Sequence, residues 1–70
     1  MARLAVDSSK NISAIGYDEN SNTLEIEFHS GAVYQYFDVP PQVYQAIMQA
    51  DSKGRYFAQH LKGYYRFVKV

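Results

Sequence analysis

The segment Thr23-Leu24-Glu25-Ile26-Glu27-Phe28 constrains the fold most. Its side chains alternate polar and apolar with period two, the pattern of a strand with one face on a core and the other in water. His29-Ser30-Gly31 then supplies a turn, and Ala32 to Phe37 returns as a second strand rich in aromatic and β-branched residues. Upstream, Ile12 to Tyr17 reads as a strand, and Asp18-Glu19-Asn20-Ser21-Asn22 is a dense turn signal leading into the alternating segment. The three strands make an antiparallel meander.

The register of the second hairpin decides what Tyr34 and Tyr36 do. A three-residue loop with Gly31 in the left-handed conformation pairs Phe28 with Ala32, Ile26 with Tyr34 and Leu24 with Tyr36. The two tyrosines then share the core face with Leu24, Ile26 and Phe28. Glu25, Glu27, Thr23, Gln35, Val33 and Phe37 take the other face. A two-residue loop shifts the pairing by one and sets the tyrosines beside the glutamates in water. The first register is preferred, because Gly31 stands where a positive φ is needed. Tyr34 and Tyr36 are therefore expected to be mainly structural.

Pro40 and Pro41 end the third strand and suit a helix start, where the first amides lack intrahelical partners anyway. Gln42 to Ala50 reads as a helix with Val43, Ile47 and Ala50 on one face and Tyr44 and Met48 beside them. Asp51-Ser52 breaks it, with Ser52 as N-cap of a second helix from about Lys53 to Lys62. Phe57 and Leu61 form the stripe of that helix, flanked by Tyr56 and His60. Gly63 suits the position after its end. Tyr64 to Val70 closes the domain as a strand. The expected class is α+β in the order β-β-β-α-α-β: a three-strand meander plus a C-terminal strand, with two helices packed on one face. The 70 residues make a single domain, 1–70. Residues 1–5 read as a polar lead-in and a candidate for disorder, with Ser8 and Ser9 suited to a turn.

Charge is balanced in total and divided along the chain. Residues 1–40 carry Arg3 and Lys10 against Asp7, Asp18, Glu19, Glu25, Glu27 and Asp38. Residues 41–70 carry Lys53, Arg55, Lys62, Arg66 and Lys69 against Asp51 alone. A basic pole of this kind is common in nucleic-acid modules. On the second helix Arg55, Gln59 and Lys62 form one polar strip, with Lys53 at its start. Arg66 and Lys69 lie on opposite faces of the last strand. The glutamate-bearing sheet face is expected to repel a phosphate backbone. Lys53, Arg55, Gln59, Lys62 and Arg66 are thus the candidate nucleic-acid-binding residues. Ser52-Lys53-Gly54-Arg55 is also a candidate phosphate cradle at a helix start.

There is no cysteine, hence no disulfide framework or thiolate metal site. His29 is expected in a turn and His60 at the core edge, neither with a second ligand at metal spacing. No catalytic constellation, metal site or cofactor motif is read from the chain, which is expected not to be an enzyme. No apolar run spans a membrane and no signal peptide is visible, so a cytoplasmic location is expected.

The ordered set Val6-Asp7-Ser8-Ser9, Ile15-Gly16-Tyr17-Asp18, Leu24-Glu25-Ile26-Glu27-Phe28, Gly31, Tyr34-Gln35-Tyr36, Val39-Pro40, Val43-Tyr44, Ser52-Lys53-Gly54-Arg55-Tyr56-Phe57 and Tyr64-Tyr65 resembles the KTSC domain. That domain is named for the C-terminal extension of some lysyl-tRNA synthetases. Tyr34-Gln35-Tyr36 matches its central Tyr-x-Tyr motif. Ala58 departs from the asparagine more often found after the Tyr-Phe pair. The resemblance implies a small stand-alone bacterial or phage protein of unknown function, with RNA, tRNA-like or single-stranded, as a candidate partner. The alternative is a protein-interaction module or homodimer, formed through a sheet edge or through the open sheet face bearing Val33 and Phe37.

Overall fold

The computed structural model describes residues 3–6 and 11–70; the turn expected at Ser8 and Ser9 lies outside the described residues. The elements are β1 (Arg3–Ala5), β2 (Ile12–Asp18), β3 (Thr23–Phe28), β4 (Val33–Tyr36), α1 (Pro41–Gln49), α2 (Lys53–His60) and β5 (Phe67–Lys69). Among the described residues the strands form one antiparallel sheet in the order β1-β2-β3-β4-β5, so the class is α+β. No helix among them is long and apolar enough to cross a membrane.

One strand more is present than the sequence suggests. Arg3–Ala5 belongs to the sheet rather than to a polar lead-in, pairing Arg3 with Gly16, Leu4 with Ile15 and Ala5 with Ala14. All three residues are exposed, so β1 carries no burial pattern for a sequence to display. At the other edge β5 is shorter than the alternating Tyr64 to Val70 segment. Gly63 turns the chain out of the helix at φ +85°, and the Tyr64 amide still bonds the Leu61 carbonyl.

The β3–β4 register is the one expected from Gly31. Leu24 pairs with Tyr36 and Ile26 with Tyr34. The Phe28 amide bonds the Ala32 carbonyl at 2.9 Å, with Gly31 at φ +95°. The β2–β3 ladder slips between Ile12 and Ala14. Two apolar residues three apart would fall on opposite faces of a regular strand. The bulge at Ser13 brings Ile12 and Ile15 both into the core, fully buried.

That core is Ile12, Ile15, Leu24, Ile26, Tyr36, Val39, Ile47 and Leu61. Leu24, Ile26 and Tyr36 share the sheet face that the helices cover. Pro41 opens α1, and Ile47 is its buried residue. Ser52 Oγ accepts from the Arg55 amide at 3.3 Å and caps α2, which ends on buried Leu61.

Tyr17 ties the sheet end to α1. Its hydroxyl donates to the Val39 carbonyl at 2.5 Å, with Asn22 Oδ1 at 3.1 Å. Its ring stacks on Tyr44 at 4.9 Å between centroids. The Val39 amide in turn bonds the Asn22 carbonyl. Desolvation, followed by the charges of Glu19 and Asp18, raises the Tyr17 pKa. Tyr17→Phe keeps the stack and leaves the Val39 carbonyl short of a donor. It is expected to cost about 1–2 kcal/mol in urea unfolding. A neutral result would show that the hydroxyl is replaceable by water.

Candidate nucleic-acid interface

The helix-covered side of the sheet is not fully closed. Between α2 and the β4–β5 end lies an open cavity of about 600 Å³. Its walls are Phe28, Tyr34, Tyr36, Phe57 and Phe67, and its rim includes Asn11, His29 and Lys62. The rings form one network. Phe57 meets Phe28 and Tyr36 edge to face, each at 5.5 Å. Phe67 lies 5.7 Å from Tyr34 and 5.6 Å from Tyr36. The register creates this arrangement, because Tyr34 pairs with Lys69 and Tyr36 with Phe67 on the same face.

The two motif tyrosines differ. Tyr36 is 5% exposed, whereas Tyr34 is half-buried. Burial, with a smaller contribution from Tyr34, pushes the Tyr36 hydroxyl up to about 12. The phenol therefore stays protonated at neutral pH.

The candidate cations do not form one patch. Arg55, Gln59 and Lys62 are exposed along α2 and just beyond it. Lys53 is half-buried, and its Nζ donates to the Ala50 carbonyl at 3.2 Å. With Ser52 Oγ engaged as the cap, two groups of the candidate phosphate cradle already have partners. Arg66 lies over the Phe37 ring, 5.4 Å from its centroid, and 3.9 Å from Asp38. Phe37 follows Tyr36 and takes the opposite face, so Arg66 belongs to the side away from the helices. Lys69, paired with Tyr34, is the β5 cation on the cavity side.

The open sheet face also differs from expectation. Glu25 and Glu27 do not stand there as free charges. Arg3 reaches across the bare backbone of Gly16 to hydrogen-bond the Glu25 carboxylate, and its Nε lies 3.4 Å from Glu27. Gln35 donates to Glu25 from the other side at 2.9 Å. Glu25 is only 5% exposed. Burial alone raises its pKa, but the Gln35 hydrogen bond and then the Arg3 hydrogen bond and charge outweigh it, so the net shift is downward. The missed signal was in β1: without that strand nothing marks Arg3 as their partner. Val33 and Phe37 are half-buried beside this polar row rather than forming a bare apolar patch.

His60, expected at the core edge, is exposed, with its ring 4.4 Å from Tyr56. Among the described residues no three His, Cys, Asp or Glu side chains gather to hold a metal ion.

A five-strand antiparallel sheet with an inserted helix pair, an aromatic-walled cavity and cations along one helix defines a small α+β domain. The chain belongs to the KTSC domain family, whose model matches residues 8–65. It is 46% identical over 71 residues to a protein of Stutzerimonas stutzeri described as uncharacterized, covering 100% of this chain and 99% of that one. It is 45% identical over 59 residues to a lysine–tRNA ligase of Nostoc punctiforme, covering 84% of this chain but 10% of the ligase. Among solved structures, a KTSC domain protein from Yersinia pestis superposes with a TM-score of 0.95 at 40% identity, covering 99% of this chain and 96% of that one.

Proposed function

We propose that this domain is a weak RNA-binding module rather than an enzyme, and that it works in the cytoplasm. Its binding surface is the outer side of α2 and the adjoining cavity mouth. The observation that carries the reading is a separation of charge. Among the described residues Arg55, Lys62 and Lys69 have no carboxylate partner, while Glu25 and Glu27 are gathered by Arg3 on the opposite face. Unpaired cations beside exposed rings suit a single strand, which offers phosphates and unstacked bases together. The relative named as a lysine–tRNA ligase supports the same reading, though only a tenth of it corresponds to this chain.

Fluorescence anisotropy with labelled single-stranded and duplex RNA at several salt concentrations tests it. Three or four phosphate contacts give a log–log salt slope of roughly −2 to −3 for single strands. Arg55→Glu with Lys62→Glu is expected to abolish binding without changing the melting temperature. Arg66→Glu, on the other face, is expected to leave affinity nearly unchanged. Failure of the wild type to bind at low salt would reject the reading.

The β5 edge favours a second reading, self-association or a protein partner. Phe67, Val68 and Val70 are 52%, 44% and 63% exposed on an edge strand, where unpaired backbone groups can accept another strand. Sedimentation velocity over a wide concentration range decides the homodimer form, since a species monomeric throughout excludes it.

A further inference from the structure

We propose that the cavity between α2 and the β4–β5 end is a site for one planar heteroaromatic ring, an unpaired nucleobase whose phosphate lies toward Lys62. That the ring comes from a strand rests on the RNA reading; that the cavity takes such a ring rests on its walls.

The cavity exists because, beside Phe57, α2 turns only small residues toward it. Gly54 and Ala58, one helical turn apart, both line it, and Lys62 stands four residues further on at the mouth. Larger side chains at the first two positions would close the gap between helix and sheet. The facing walls are ring surfaces. Phe67 is 52% exposed and Tyr34 half-buried, so both rings meet solvent in the free protein. A flat ring laid against them would remove that apolar surface from water, as base–aromatic stacking does elsewhere.

An aromatic cage can also take a cation, and charge separates the two cases. Among the described residues none that lines this cavity is acidic, and Lys62 is one of them. An ammonium ligand would meet a like charge with no compensating carboxylate among those residues. A nucleotide would meet Lys62 with its phosphate. At about 600 Å³ the space lies within the usual range for small-ligand sites.

The test compares a short oligouridylate with a ribose-phosphate strand of equal length lacking bases, against wild type and Ala58→Leu. Leucine at this helical position crowds the cavity on its α2 side, favours the helix about as well as alanine, and removes no charge. Wild type is expected to bind the oligouridylate about tenfold or more tighter than the abasic strand. Ala58→Leu is expected to lose that margin while keeping its melting temperature and its affinity for the abasic strand. Equal binding of both strands by wild type would overturn the ring site and leave the RNA reading standing. Should Ala58→Leu fail to fold, NMR of wild type with uridine 5′-monophosphate decides instead. Shifts of the Tyr34 and Phe67 ring resonances support the site, and shifts confined to the outer face of α2 overturn it. Occupancy of the cavity by the monophosphate with no binding of either strand would overturn the RNA reading alone.

Discussion

Replacing Tyr36 with alanine is expected to remove about 3–5 kcal/mol of stability, as for other buried aromatic rings. A domain of this length has only about 4–10 kcal/mol in total, so the variant is expected to lose a large share of its stability and to melt at a markedly lower temperature. Tyr36 is 5% exposed, pairs with Leu24 across the ladder and packs edge to face on Phe57. The cavity beside it limits how far the neighbours can close over the vacated space. Tyr34→Ala is expected to cost less, about 1–2 kcal/mol, because part of that side chain is already in water. Equal losses in parallel denaturant titrations would show that the burial difference does not govern the motif. The hydroxyl gives a second readout. A phenol whose pKa rises from 10.0 to about 12 on folding holds its proton in the native state while the unfolded chain loses it. Stability should therefore fall as pH rises from about 10 toward 12. Tyr36→Phe should remove that part of the decline.

The strands that bury one face were legible because alternation survives in the letters. Thr23–Phe28 is the clearest instance, and Gly31 added the register by supplying the one residue suited to a positive φ in the turn. Both helices followed from Pro40-Pro41, the Ser52 cap and Gly63, each a local requirement of the backbone. Elements held by pairing rather than burial did not show. β1 exposes all three of its side chains, and its reason to exist is the Gly16–Ala14 edge it covers. The bulge at Ser13 was likewise hidden, although the odd spacing of Ile12 and Ile15 is its trace.

The candidate site was partly legible. Arg55, Gln59 and Lys62 follow from helical spacing alone. Their separation from Arg66 depends on which face β5 turns to the helices, and that is fixed by the pairing of Phe67 with Tyr36. The cavity was not legible, because it arises from what Gly54 and Ala58 lack. Small residues on a helix give no apolar signal, and only the fold shows that aromatic rings stand opposite them.

Glu25→Lys is expected to be among the most damaging single changes on the sheet face away from the helices, costing about 3 kcal/mol. Were Glu25 a solvated repulsive charge, the change would be neutral or would help nucleic-acid binding. Instead it places a second cation in the buried position where Arg3 and Gln35 both donate. Arg3 is itself one-third exposed, so water relieves part of the penalty and keeps the cost at the lower end for broken buried pairs. Glu27→Lys, where both partners are about one-third exposed, is expected to cost under about 1 kcal/mol. The pH dependence follows the same geometry. Folding lowers the Glu25 pKa below its ordinary 4.5, so the unfolded chain binds the proton more readily. The stabilisation is complete above about 4.5 and is lost as pH falls through the folded value. Urea titrations of wild type and Arg3→Ala between pH 7 and pH 3 measure this directly. Wild type should lose stability across that range more steeply than Arg3→Ala, in which the hydrogen bond and charge of Arg3 no longer favour the carboxylate. Parallel curves for the two proteins would show that Arg3 does not set the Glu25 pKa. The ion pair across Gly16 would then be a surface contact of no energetic consequence.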